Sequence, residues 1–221
     1  MSEELWATVD TYINGVVIGR DAALEAAAAS AAAAKLPPIS VTPAYGKLLH
    51  LIAKVRGASR LLEIGTLAGY STIWLARAVP ADGRVITIES NPTHADIARA
   101  NIERAGLAAR VDIRVGAALD VLPQLAADKQ APFDFTFIDA DRARLADYFD
   151  WAVRLSHSGS VIIVDNVVRK GAIVDAASDN ADVKGVRRFN EQLKSDTRVD
   201  ATMIQTVSAK GYDGFAMALV R

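Results

Sequence analysis

The stretch Leu61-Leu62-Glu63-Ile64-Gly65-Thr66-Leu67-Ala68-Gly69-Tyr70-Ser71 decides how the rest of the chain is read. A short apolar run carries an acid, passes through two glycines spaced i, i+4, and opens into an apolar-periodic segment from Thr72 to Val79. A strand, a tight turn and a helix are expected in that order. In a doubly wound sheet such a turn stands outside the carboxyl end of its strand, where small ligands bind.

Downstream of Arg60, short β-rich runs alternate with segments of helical period, the mark of βαβ units. The runs are Leu61 to Ile64, Val85 to Ile88, Val111 to Val115, Phe133 to Ile138 and Val161 to Val164. Helical segments are expected near Ser71 to Ala78, Pro92 to Ala105, Ala117 to Ala127 and Arg142 to Leu155. After a helix near Val183 to Lys194, the runs Ala201 to Val207 and Phe215 to Val220 read as an antiparallel hairpin, joined by a loop that contains Gly211 and Gly214. The expected fold is α/β: a Rossmann-like doubly wound seven-stranded sheet, mostly parallel, with an antiparallel C-terminal hairpin and N-terminal helices.

Upstream, Glu3 to Lys35 is helical by composition, and Asp21 is placed to cap a segment with alanines at 26–29 and 31–34. Alanine supplies helix propensity but little core volume, so this helix should pack closely on a neighbour or a partner subunit. A weakly anchored lid is the alternative. Pro37-Pro38 breaks the helix, and Thr42-Pro43 reads as a cap and first-turn proline of a helix reaching about Arg56. No repeat or linker interrupts the series. A single domain over 1–221 is expected, with 1–56 a helical appendage and 57–221 the core.

Composition narrows the partners. With 221 residues the chain can bury one substantial core, and with no cysteine it has no disulfide, thiolate zinc site or cysteine nucleophile. That usage is compatible with a reducing cytoplasm. No apolar run approaches the ~20 residues of a membrane span, and no signal-peptide pattern opens the chain. A balance of 25 basic and 26 acidic residues gives no bulk electrostatic reason to expect nucleic acid. The partner should be small.

Acids stand at the ends of several runs: Glu63, Glu89, Asp139, and Asp165 followed by Asn166. Parallel strands deliver these ends to one edge of a sheet, and convergent carboxylates repel unless a cation is present. A cationic ligand or a metal is implied. The glycine turn departs from G-x-G-x-x-G, and Glu63 would oppose a pyrophosphate while suiting an ammonium or sulfonium. Glu89, 24 residues after Gly65, is placed to accept hydrogen bonds from a ribose diol. A nucleoside joined to a cation, without phosphates, is S-adenosylmethionine.

LLEIGTLAGYST, VITIES, FTFIDADRA and VIIVDNVVRKG resemble the successive motifs of the cation-dependent O-methyltransferases, the family of catechol and caffeoyl-CoA O-methyltransferases and their small bacterial relatives. The similarity runs from about Leu36 to the C-terminus, including DGF at Asp213 to Phe215, and IDAD with VDN is its most specific element. It implies a seven-stranded sheet with a reversed last hairpin, and a homodimer. Glu63, Gly65, Thr66 and Ser71 would line the methionine portion of the donor, Glu89 the ribose and Ala118 the adenine, with Val41 covering it. Tyr70 and Tyr212 are pocket candidates, and Asp141 matches a donor-binding carboxylate. Asp139, Asp165 and Asn166 match metal ligands; all-oxygen donors suit Mg2+ first, with Ca2+ or Mn2+ as substitutes.

The implied reaction is methyl transfer from S-adenosylmethionine to a hydroxyl of a small catechol-like or hydroxylated aromatic acceptor with vicinal oxygens. Metal binding lowers the pKa of one hydroxyl and orients it toward the methyl group. Arg142 departs from the pattern, because many members carry a lysine there that acts as general base and arginine stays protonated. Either Arg142 stabilises the developing oxyanion, or another residue such as Lys170 takes the proton. Arg169 and Lys170 border the acceptor side, as a solvated basic loop or as recognition of an acidic acceptor. His50, His94 and His157 read as surface or packing residues, and Trp74 and Trp151 as core. The alternatives are a non-catalytic S-adenosylmethionine-binding protein, or transfer to a nitrogen or a larger natural-product scaffold.

Overall fold

The computed structural model describes residues 2–221. Five strands run parallel: β1 (Arg60–Ile64), β2 (Arg84–Glu89), β3 (Val111–Val115), β4 (Phe133–Ile138) and β5 (Ser156–Asp165). Against β5 lies β7 (Gly211–Val220), antiparallel, and β6 (Val199–Ser208) completes the edge, giving the order β3-β2-β1-β4-β5-β7-β6. The helices are α1 (Glu3–Ile13), α2 (Ala22–Ala33), α3 (Pro43–Arg56), α4 (Tyr70–Ala76), α5 (Pro92–Arg104), α6 (Ala118–Ala127), α7 (Leu145–Arg154) and α8 (Ala181–Ser195).

The central strands are apolar on both sides because both sheet faces are covered. On one face Leu62, Ile64, Ile86 and Ile138 pack with residues of α6, α7 and α8; on the other Leu61, Val85, Phe135 and Phe137 pack with residues of α2 to α5. Each such buried side chain stabilises the fold by about 1.5–3 kcal/mol. A strand of this kind cannot be moved to the sheet edge without losing that contribution.

Helix ends follow from side-chain chemistry. The Asp21 carboxylate accepts from the amides of Ala23 and Leu24, both at 3.1 Å, and binds Arg77 of the turn after α4 at 2.6 Å. Thr42 caps α3 through the Tyr45 amide at 3.3 Å, and Gly57 ends it in the left-handed conformation with φ 68°. The alanine helix α2 buries Leu24 and Ala27, and Ser30 donates to Asn101 of α5 at 2.8 Å. Close packing on a neighbouring helix is thus its use within the chain.

Three local expectations change. Gly211 and Gly214 belong to β7, and the reversal is made by Ala209-Lys210; a Cβ at Gly214 would lie 2.4 Å from the Ile204 carbonyl, so glycine permits the close strand approach. The segment from Arg142 begins as a 3-10 turn, Arg142–Arg144, before α7. Strand β5 starts at Ser156, five residues before Val161.

Strand order reverses between β1 and β4, which pair side by side while their following helices lie on opposite faces. A crevice opens at such a switch point, beyond the carboxyl ends. The chain closes tightly beneath it, the Gly65 amide donating to Ile88 at 3.0 Å and the Asp139 amide to Ile64 at 2.9 Å.

Candidate active site

The crevice is a cavity of about 290 Å³. The glycine turn forms its floor. Gly65 has φ +100°, and a Cβ there would stand 2.1 Å from the Asp139 carbonyl, so any other residue would collide with the neighbouring strand end. Of the residues singled out in the sequence, Val41, Gly65, Thr66, Tyr70, Ser71, Glu89, Ala118, Asp139, Asp141 and Arg142 all line this cavity.

Glu89 is held rigidly. Its Oε2 accepts from the amides of Thr66 at 3.3 Å and Leu67 at 2.8 Å, and its Oε1 from Asn91 at 2.9 Å. Glu63 is fully buried behind the wall. Ser71, which does line the cavity, donates to Glu63 at 2.6 Å, while Thr72 and Thr87 donate at 2.5 and 2.7 Å. Burial pushes the Glu63 carboxyl up to about 7 despite these three hydroxyl donors, which favour the charged form. Asp141 accepts from the Arg144 amide at 3.2 Å and from the hydroxyl of Tyr148, another cavity residue.

A second cavity, about 380 Å³, adjoins the first and shares Ile39, Ser40 and Val41 with it. Asp165, Asn166, Lys170 and Tyr212 line it, as do Tyr45 and Lys210. Burial, and then the charge of Asp139, pushes the Asp165 carboxyl well above the usual range, and burial raises Asp139 against the opposing pull of Arg142. Tyr45 rises far above its ordinary value through burial and the charges of Asp165 and Asp139.

Asp139 lines the first cavity, and Asp165 and Asn166 line the second. Arg142 joins them: its Nη2 lies 3.1 Å from Asp139 Oδ1 and also donates to Asn166 Oδ1. Among the described residues no group of three or more His, Cys, Asp or Glu side chains is gathered to hold a metal. The set here is two carboxylates and an amide oxygen, the chemistry of a hard-cation site.

Arg169 is committed elsewhere, to Asp182 at 2.8 Å, whereas Lys170 stays in the second cavity. Asp213 holds the loop after Asn166, its Oδ1 accepting from Val168 at 3.0 Å and Arg169 at 2.9 Å. His94 corrects the sequence reading of the histidines: it lines the first cavity with Nδ1 3.7 Å from Glu89. Its signal was its place in the first turn of the helix after the β2 acid. His50 packs edge-on against buried Trp74, and His157 contacts Asp134 at 3.0 Å. Lys210 was also missed. Its Nζ donates to the carbonyls of Pro38, at 3.2 Å, and Ser40, and burial lowers its pKa against the pull of Asp139 and Asp165. Nothing local in the hairpin sequence marks that contact.

A nucleoside-sized cavity at the switch point, a rigid acid at the end of β2, no pyrophosphate loop and a reversed terminal hairpin define an S-adenosylmethionine-dependent methyltransferase. A family model described as O-methyltransferase matches residues 19–219, and the chain belongs to that family. It is 50% identical over 221 residues to a catechol O-methyltransferase of Niastella koreensis, covering 100% of both chains. Its structure matches an O-methyltransferase from Bacillus cereus in complex with S-adenosylhomocysteine, with TM-score 0.98, 52% identity and 100% of both chains covered. It also matches the O-methyltransferase TomG of Streptomyces achromogenes, involved in tomaymycin synthesis and in complex with S-adenosylmethionine, with TM-score 0.96, 49% identity, and 100% and 99% coverage. The chain is an S-adenosylmethionine-dependent O-methyltransferase. Among the described residues no helix is long and apolar enough to cross a membrane.

Proposed function

We propose that this enzyme methylates a hydroxyl of a small catechol-like acceptor bearing two neighbouring oxygens, with a divalent cation held by Asp139, Asp165 and Asn166. The observation that carries this reading is the all-oxygen set shared between the two cavities, where the charge of half-buried Asp139 opposes ionisation of half-buried Asp165. The donor set fits a hard ion, Mg2+ before Ca2+ or Mn2+. The Niastella relative's description as a catechol O-methyltransferase agrees with it.

In this reading Glu89 accepts from the ribose hydroxyls with its lone pairs left free by the backbone amides. Ser71, Gly65 and Thr66 receive the methionine end, with Glu63 behind them as counter-charge, and Ala118 borders the adenine. Tyr70 and Asp141 complete the walls, and Val41 closes the cavity from the N-terminal side. A divalent ion, when bound, acidifies one of two acceptor hydroxyls and fixes both. Tyr45 and Tyr212 flank the acceptor. Arg142 cannot take up a proton, so the acceptor proton passes to Lys170 or to solvent. One catalytic unit spans 1–221, the 1–56 appendage supplying the covering strap to the 57–221 core. It acts as a cytoplasmic homodimer, which would cover exposed apolar residues of α1 such as Leu5, Val9 and Tyr12.

Transfer of labelled methyl from S-adenosylmethionine to a catechol panel tests the proposal. We expect turnover on vicinal diols that a chelator abolishes and Mg2+ restores. Chelator-insensitive turnover would remove the metal assignment; turnover confined to acceptors with a single oxygen would remove the acceptor class.

A further inference from the structure

Arg142 sits on the 3-10 turn between Asp139 and α7, with a side chain only 18% exposed. Its guanidinium is 3.1 Å from Asp139 Oδ1, donates to Asn166 Oδ1 through the same Nη2, and donates to the Ala140 carbonyl through Nη1. Its Nε is buried and has no hydrogen-bond partner. Among the described residues Asp139 is the one carboxylate that pairs with it. The backbone beneath is fixed, since α8 packs so closely that a Cβ on Gly185 would stand 2.1 Å from the Arg142 carbonyl oxygen. Only the side chain is free to move.

We propose that Arg142 is a tethered cation that occupies the divalent-metal position, so that a metal ion binds only by expelling it and this residue sets the enzyme's metal affinity. The inference rests on the reading that Asp139, Asp165 and Asn166 hold the ion. A hard divalent cation contacts its oxygens at about 2.0–2.6 Å. A guanidinium nitrogen already within hydrogen-bonding reach of both Asp139 and Asn166 fills that space, and it brings a charge of the same sign. The two occupants therefore exclude each other by volume and by electrostatics. Arginine suits the part: its planar fork serves several oxygens at once, and it cannot relieve the conflict by losing a proton. In the donor-free protein, a displaced Arg142 has the first cavity, which it already borders, to move into.

The experiment is Mn2+ binding, followed by electron paramagnetic resonance and calorimetry without donor or acceptor, on the full-length wild type, Arg142→Gln, Arg142→Lys and Asp165→Ala. We expect Arg142→Gln to bind Mn2+ at least tenfold more tightly than wild type, with Arg142→Lys between them and Asp165→Ala showing no binding at this site. In chelator, Arg142→Gln should unfold at a lower temperature than wild type and recover on adding Mn2+. Equal affinities in wild type and both Arg142 variants would overturn the inference and leave the metal site standing. Absence of binding in every folded variant, or binding indifferent to Asp165→Ala, would overturn the metal assignment and this inference with it.

Discussion

At Glu63, solvation and hydrogen bonding pull in opposite directions. Three hydroxyls favour the carboxylate, yet complete burial wins and the group titrates at about 7 in place of 4.5. The folded state then keeps a proton that the unfolded chain has lost over that interval. Its contribution to stability is greatest below about pH 4.5, falls as pH rises, and levels off above about 7, a span of about 3 kcal/mol. In ligand-free protein the unfolding midpoint should therefore decline between pH 5 and 7.5, and Glu63→Gln should flatten that decline. An identical slope in the variant would place the titrating group elsewhere. Gly65, two residues on, shows the same economy of space: the backbone that admits a ligand is also the backbone that lets β4 end where it does.

Among the elements, the segment from Pro37 to Val41 depends on the β6–β7 turn. Lys210 holds its carbonyls across 172 and 170 residues of sequence. Hydrogen bonds from a charged group are worth about 1.5–3 kcal/mol. Lys210→Ala should accordingly weaken S-adenosylhomocysteine binding about tenfold in calorimetry and raise the acceptor KM, because both cavities lose a wall. Unchanged constants for both ligands would show that the strap holds itself. This tie also marks where sequence reading stops. The βαβ series was legible because strands buried on both faces must be apolar throughout, and the Asp21 and Thr42 caps because they act on amides two or three residues away. Most residues that line the first cavity were legible because they follow strand ends in fixed order. Lys210 and Tyr45 reach the site only through tertiary packing, and the hairpin glycines were misassigned because a glycine needed for close strand approach looks like one needed for a turn.

Across the whole molecule, the two ends of the sheet divide function from stability. At the amino end Asp134 accepts from the Ser59 and Arg60 amides at 2.8 and 2.9 Å and from His157 at 3.0 Å. Burial alone would raise its pKa, but the His157, Arg60 and Ser59 contacts hold the carboxyl at about 2. Its stabilisation, roughly 1–2 kcal/mol after solvent screening, is present above about pH 4 and lost as pH falls to 2. Asp134→Asn should lower the unfolding midpoint at neutral pH, converge with wild type near pH 2, and leave kcat unchanged; a fall in kcat would tie this end to catalysis. The carboxyl end carries Ile39, Ser40 and Val41 as a wall common to both cavities. With the donor in the first cavity and the acceptor in the second, as proposed, lifting this wall to free the spent donor would also unseal the methylated product. One opening per cycle would then serve both ligands, and a bulky acceptor that props the strap would shorten the stay of both.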